Sequence, residues 1–281
     1  MAESGKQAFN ATLSLAIDDL LEHGFDSEER VREWQRKLRA AAAESLVPEY
    51  VIKRQVDDAL VRVYKRWVEN PTTLRRRHHG VSMFTLQNVK PKLRAELDRR
   101  ILASANLIKL NREASIERTL QRFAGWSTSI PIGGTDLQKR KAVKDEVRRG
   151  ISGLPFEERR VVIDQGHKLV SAVNHIVAKD GGAIAGIWRH VHMGPPAYQS
   201  RPAHVARDGE YFLIRDSWAA EQGLVKTRGV TFTVDIEQPG ELIFCGCHYE
   251  YVYAIGDLPR ELLTAKGVEE LDRVRRIIRS A

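Results

Sequence analysis

The chain has 281 residues, 42% of them hydrophobic, and a net charge of +8, a composition that can bury one large core or two modest ones. No run of about 18 apolar residues occurs, so no membrane span is predicted. The first ten residues lack the apolar segment of a secretory signal, which predicts a protein made and used in the cytoplasm.

The first half of the sequence predicts α-helices, because apolar residues recur there every three to four positions. Asp26–Glu29 has the spacing of a capping box and begins one helix. A second helix is predicted from Glu49 to Val68, and a third begins at Lys90 and runs through Ala105. Between them, Arg75–Gly80 is predicted to be a basic loop, and Gly125–Asp136 is rich in turn-forming residues.

The positive charge is concentrated in this helical half. Residues 1–155 carry 29 basic against 20 acidic side chains, whereas residues 156–281 carry 16 against 17. Such an excess favours binding to nucleic acid or to an acidic protein surface, although a solvated arginine-rich helix has the same composition. We expect the contact surface to consist of Arg75, Arg76, Arg77, Lys90, Lys92, Arg99 and Arg100.

The second half predicts one helix followed by a small sheet. The helix runs from Phe156 to Ala178 and is stopped by Asp180–Gly182. Short β-rich runs then predict strands at Ala183–His192, Glu210–Asp216, Val230–Ile236, Glu241–Cys247 and Tyr249–Ile255, before a last helix at Leu258–Arg279. The sequence therefore predicts an α+β fold, with a mostly helical basic region at residues 1–150. A small α+β domain with a mainly antiparallel sheet follows at residues 151–281.

Two pairs of metal-ligand residue types lie in the predicted sheet. Residues i and i+2 of a strand share a face, so His190 with His192, and Cys245 with Cys247, each present two donors on one side. Together with His204, the set Cys245, Cys247 and His192 would suit a tetrahedral zinc site. The two cysteines are closer in sequence than zinc ligands usually are, and too close for a stabilising disulfide. The expected state is therefore free of cofactors, with zinc as the alternative.

The segment Arg201–Gly209 combines an arginine with a histidine, the residue types that bind a phosphate and move a proton in a nuclease. In that interpretation Arg201, His204 and Asp208 form the catalytic group. The alternative is structural: Asp208–Gly209 is a hairpin turn that His204 stabilises through hydrogen bonds. No second acid or carboxylate cluster accompanies these residues, so the structural role is favoured over an enzyme.

Several short motifs follow one another in the second half. They are, in order, Arg159–Asp164, Asn174, Ala185–Trp188, Tyr198–His204, Asp208–Gly209, Gln238–Glu241 and Cys245–Cys247. This order resembles the phage head morphogenesis domain of the Mu F-like minor head proteins, and Leu93–Arg100 resembles the podovirus versions of these proteins. The chain departs from the family at Ile163–Gln165, where the family has Arg-Thr-Glu, so no catalytic or metal-binding role is carried over.

The resemblance implies a minor capsid protein of a tailed bacteriophage, present in several copies in the virion. It implies a location in the head interior or at the portal vertex, and the host cytoplasm during assembly. The implied partners are the portal protein, the major capsid protein, or both, and the basic helical half is suited to packaged double-stranded DNA.

Overall fold

A computed structural model describes residues 3–136, 139–192 and 200–280. Within these ranges the α-helices are α1 (Glu3–His23), α2 (Glu28–Ser45), α3 (Glu49–Tyr64), α4 (Pro71–Arg77), α5 (Met83–Asn88), α6 (Lys90–Ser127), α7 (Arg140–Ser152), α8 (Leu154–Asp180), α9 (Pro202–Ala206), α10 (Trp218–Glu221) and α11 (Ala265–Ser280). The strands are β1 (Ala185–Arg189), β2 (Tyr211–Leu213) and β3 (His248–Val252). The predicted α+β fold is confirmed. None of the helices in the described residues is long and apolar enough to cross a membrane.

The chain forms two compact units that interleave in sequence. Unit 1 comprises Met1–Asp58 and Ile101–Val162, and unit 2 comprises Ala59–Arg100 and Ile163–Ala281. The segment Ala59–Arg100 joins unit 2 because its side chains bond to later residues; for example, buried His78 hydrogen bonds with a side chain of α8 and one that follows β3. These units differ from the single division predicted near residue 150.

Unit 1 has a helical core. Phe9, Leu13 and Ile17 recur at helical spacing along α1 and are fully buried among apolar side chains of α2, α6 and α7. Each such side chain contributes about 1.5–3 kcal/mol through its burial. The helix α2 begins one residue later than predicted, because the hydroxyl of Ser27 accepts the N–H of Arg30 and so provides the cap.

The prediction of a loop at Arg75–Gly80 is wrong for its first three residues. Arg75–Arg77 form the last turn of α4. The side chain of Asn70 accepts the N–H of Thr72, and the proline that follows Asn70 occupies the start of the helix, where its missing N–H costs nothing. The three arginines therefore project from a helix that is anchored at its N-terminus.

Unit 2 contains the sheet, whose strand order is β2-β1-β3 with both pairs antiparallel, as predicted. The central strand β1 follows α8 through the predicted stop: Gly182 has φ of 81°, which glycine adopts without steric cost. Gly186 lies opposite Phe212 and Tyr251, and a Cβ at Gly186 would approach the ring of Tyr249 to 2.8 Å. Glycine at this position therefore lets Tyr249 pack against the backbone of β1.

Two of the five predicted strands are absent from the described residues. Val230–Ile236 contains a short 3-10 helix at Thr233–Asp235 and one isolated bridge. Glu241–Cys247 forms turns, because Gly240 has φ of 80° and Phe244 has φ of 62°, values that an extended strand does not allow. The two cysteines therefore lie in an irregular segment next to the sheet.

Candidate functional site

The site is built around Trp188 near the end of β1. The Trp188 side chain is fully buried, and its ring meets those of His204, Phe212 and Tyr249 at centroid distances of 5.3, 6.3 and 5.8 Å, all edge-to-face. The two cysteines complete this set. We call Trp188, His204, Phe212, Cys245, Cys247 and Tyr249 the Trp188 cluster.

The two nitrogens of His204 face different groups. Nε2 lies 2.8 Å from Oε1 of Glu237, and Nδ1 lies 3.4 Å from Sγ of Cys245 and 3.7 Å from Sγ of Cys247. A carboxylate only accepts hydrogen bonds, so Nε2 carries the proton that it donates to Glu237. In the neutral ring Nδ1 then keeps its lone pair, and this lone pair faces the two sulfur atoms.

Glu237 is itself held by Arg207. The guanidinium of Arg207 donates to Oε1 of Glu237 at 2.8 Å and lies over the ring of Trp188, 5.2 Å from its centroid. Burial raises the pKa of Glu237, but hydrogen bonds from Arg207 and His204 outweigh it and lower the pKa overall. The carboxylate therefore stays charged and fixes the orientation of His204.

The cysteines have opposite electrostatic environments. The pKa of Cys245 is lowered to about 5, mainly by a hydrogen bond from Cys247, with a further contribution from the N–H of Gly240 at 3.3 Å from Sγ. The pKa of Cys247 is raised, because its proton is shared with Cys245 and because it is buried. Neither cysteine forms a disulfide.

The structure brings together three of the four predicted metal ligands. The donor atoms of His204, Cys245 and Cys247 all lie within 4.8 Å of one another, and all three residues are buried. The fourth predicted ligand, His192, is outside this group and has Nδ1 3.0 Å from Oγ of Ser200. Its near neighbour His190 is closer, with Nδ1 3.5 Å from Sγ of Cys247.

The predicted catalytic residues do not form an open catalytic group. Arg201 donates to the carbonyl of Ile243 at 2.9 Å, and the carboxylate of Asp208 accepts the backbone N–H of His190 at 2.9 Å. His204 is 3% exposed, with both ring nitrogens next to protein groups. Each predicted catalytic side chain therefore already has a partner within the fold, which is the arrangement expected for a structural role.

The prediction of a hairpin turn at Asp208–Gly209 is correct for the turn only, because the turn follows helix α9 rather than a strand and the ring of His204 bonds to Glu237 instead of to this turn. Gly209 has φ of 84°, and its N–H donates to the carbonyl of Trp188 at 2.9 Å. The segment thereby turns the chain back to pair with β1. Tyr198, which belongs to the resemblance, lies outside the described residues.

A small depression lies over the metal-ligand group. It is lined by residues that include His190, Arg201, His204, Cys245 and Cys247, and its volume of about 10 Å³ holds about one water-sized particle. Nothing as large as a nucleotide fits there. A site of this size suits a single ion or water molecule better than an organic substrate.

A second polar network in unit 2 surrounds His78. Its Nδ1 lies 2.7 Å from the hydroxyl of Tyr253, and its Nε2 lies 3.1 Å from Oδ1 of Asn174. Burial lowers the pKa of His78 to about 4, so the ring is neutral near pH 7. Asn174 thus bonds to the residue that follows α4. Asp164, also part of the resemblance, accepts the backbone N–H of Phe244.

The seven predicted contact residues divide into two groups. Lys92 pairs with Asp180, Arg99 and Arg100 both pair with Glu96, and Arg77 lies over the ring of Trp67 at 4.2 Å. The other three, Arg75, Arg76 and Lys90, are exposed and have no ion pair to another described residue. Arg76 also helps to line an open pocket of about 270 Å³, together with Arg77, His248 and Glu250.

Sequence reasoning missed Glu237 and assigned no role to Arg207 within Arg201–Gly209. Glu237 is 33 residues from His204 and has no periodic relation to it, so no spacing pattern could have found the pair.

Comparison of the chain with protein-family models, with curated proteins and with solved structures finds no match.

Proposed function

We propose that this chain is a minor head protein of a tailed bacteriophage, a structural component of the virion rather than an enzyme. The observation that carries the proposal is the Trp188 cluster. Motifs that are far apart in the sequence, Ala185–Trp188, the histidine of Tyr198–His204 and Cys245–Cys247, meet in one buried cluster. Motifs in this order resemble the head morphogenesis domain. Their contact supports the resemblance, because the motifs that carry it pack together in one core.

The buried character of this cluster favours a structural role over the nuclease alternative. A nuclease needs an accessible base and an open phosphate site. Here His204 is enclosed, its carboxylate partner Glu237 forms an ion pair with Arg207, and Arg201 is bonded to a backbone carbonyl. The space above His204 is also too small for a nucleotide.

The exposed positive side chains of Arg75, Arg76 and Lys90 support binding to an acidic partner within the head. Packaged double-stranded DNA has the required charge, since its phosphates attract arginine and lysine irrespective of sequence. Binding of this kind weakens as salt concentration rises. The portal or major capsid protein remains the proposed protein partner.

Reversing the charge of Arg75 and Arg76 tests the proposal. The double variant Arg75→Glu, Arg76→Glu leaves Arg77 on Trp67 and should weaken binding to duplex DNA by at least about 10-fold at low salt. The slope of log affinity against log salt should fall by about 2. Fluorescence anisotropy with a labelled duplex measures both quantities, and quantitative mass spectrometry of purified phage particles measures incorporation, which should fall as well.

A matched control is Arg275→Glu, Arg276→Glu, which changes the net charge equally on the exposed face of α11. This variant should bind DNA and enter particles as the unaltered chain does. Equal losses in both variants would mean that net charge alone matters. Absence of the unaltered chain from particles would overturn the proposal itself.

A further inference from the structure

We infer that His204, Cys245 and Cys247 bind one zinc ion, with His190 as the fourth ligand. The inference begins with the donor atoms. Two sulfurs and two imidazole nitrogens are the ligand types that zinc takes in structural sites, and thiolates select it over magnesium, calcium and manganese. All three core ligands are buried, so a bound ion would be enclosed by protein.

The distances between the donors fit a tetrahedral ion. With ordinary zinc–sulfur and zinc–nitrogen bonds at the tetrahedral angle, a sulfur and a nitrogen on the same ion lie about 3.6 Å apart. The observed separations are 3.4 Å for Cys245 and His204, 3.7 Å for Cys247 and His204, and 3.5 Å for Cys247 and His190. Three edges of the tetrahedron are therefore already close to their final lengths.

The surroundings prepare His204 to act as a ligand. Glu237 accepts the proton of Nε2, so that Nδ1 presents its lone pair to the same space as the sulfurs. A carboxylate behind a metal-binding histidine fixes both its tautomer and its orientation. Arg207 in turn holds Glu237, and the N–H of Gly240 donates to Sγ of Cys245. These contacts hold the donor atoms of His204 and Cys245 in a fixed orientation before any ion binds.

The fourth ligand position lies at the depression over the metal-ligand group, which His190 also lines. His190 contacts Cys247 but is not part of the compact group of three, so it completes the site by a small rotation of its ring. Both histidines and both cysteines line this depression, whose volume suits a single ion. The zinc would then tie the end of β1 and α9 to the irregular segment before β3.

Metal analysis of the untagged full chain is the decisive experiment. Protein purified without a polyhistidine tag should contain about one zinc per chain by plasma mass spectrometry. Replacement by Co²⁺ should give the intense absorption of a tetrahedral thiolate site, and thiol titration should detect two reactive cysteines after a strong chelator is added. A zinc content near zero, with both thiols reactive before chelation, would overturn the inference.

Variants separate the ligands from their neighbours. Cys245→Ser and Cys247→Ser should each lose the cobalt spectrum, and Glu237→Gln should weaken zinc binding by about 10- to 100-fold. The matched control is His192→Ala, which removes a histidine outside the group and should retain the metal. Loss of metal in His192→Ala, or its retention in the double cysteine variant, would contradict the assignment. If the cysteine variants do not fold, the metal content and cobalt spectrum of the unaltered chain still decide the question.

Discussion

Replacing Trp188 by alanine should lower the free energy of unfolding by about 3–5 kcal/mol, the usual cost of truncating a fully buried aromatic side chain. Trp188 is 0% exposed and contacts three other rings, so the surrounding side chains can relax only partly into the vacated space. Arg207 would also lose the ring over which it lies. Urea denaturation followed by circular dichroism measures the change.

Trp218 provides a control of the same residue type. It is 36% exposed, and its indole donates one hydrogen bond to the carbonyl of Gly182. Trp218→Ala should therefore cost about 2 kcal/mol, less than Trp188→Ala, because it removes this hydrogen bond and only partial apolar burial. Equal losses for the two tryptophans would show that the Trp188 cluster does not form the core proposed for it.

Replacing Gly134 by alanine should lower the free energy of unfolding by about 4 kcal/mol, through backbone strain and overpacking together. Gly134 has φ of 83°, and a Cβ there would lie 2.2 Å from the carbonyl oxygen of Leu21 at the end of α1. Backbone atoms would have to move. The neighbouring N–H of Thr135 would also lose its 2.9 Å bond to that same carbonyl.

The adjacent Gly133 separates the two causes. Its φ of 87° is nearly the same, but a Cβ there would meet nothing within 4 Å among the described residues. Gly133→Ala should therefore show the strain alone, about 1–2 kcal/mol. Thermal and urea denaturation of the two variants measures the difference, and a cost at Gly133 as large as at Gly134 would contradict the role given to close packing.

The helices α2, α3, α6 and α8 could be predicted from the sequence because each has a periodic apolar stripe, whereas α1 and α7 were not predicted as separate helices. Leu93 and Leu97 belong to the apolar stripe of α6, and both are fully buried, as their spacing predicts. The strands were harder to predict, because a segment rich in β-forming residues can still contain a turn. Glu241–Cys247 has apolar residues, yet the positive φ of Gly240 and Phe244 forms turns there.

The candidate site could be predicted in its donors but not in its partners. The residue types of Cys245, Cys247 and His204 identify them as possible metal ligands. The pairing of Glu237 with His204 cannot be found from sequence spacing. His192 lies outside the group of donors because β1 ends at Arg189, so the two-residue period of a strand no longer applies beyond it. The ion pair between Lys92 and Asp180 joins residues 88 positions apart, so no spacing pattern could predict it.

A reconstruction of the phage head with this chain in place tests the central claim most directly. The proposed function predicts density for both compact units at the portal vertex or on the inner face of the shell. It also predicts that Arg75 and Arg76 face DNA or an acidic protein surface. Complete particles that contain the portal and capsid proteins but neither density nor peptides of this chain would contradict the account.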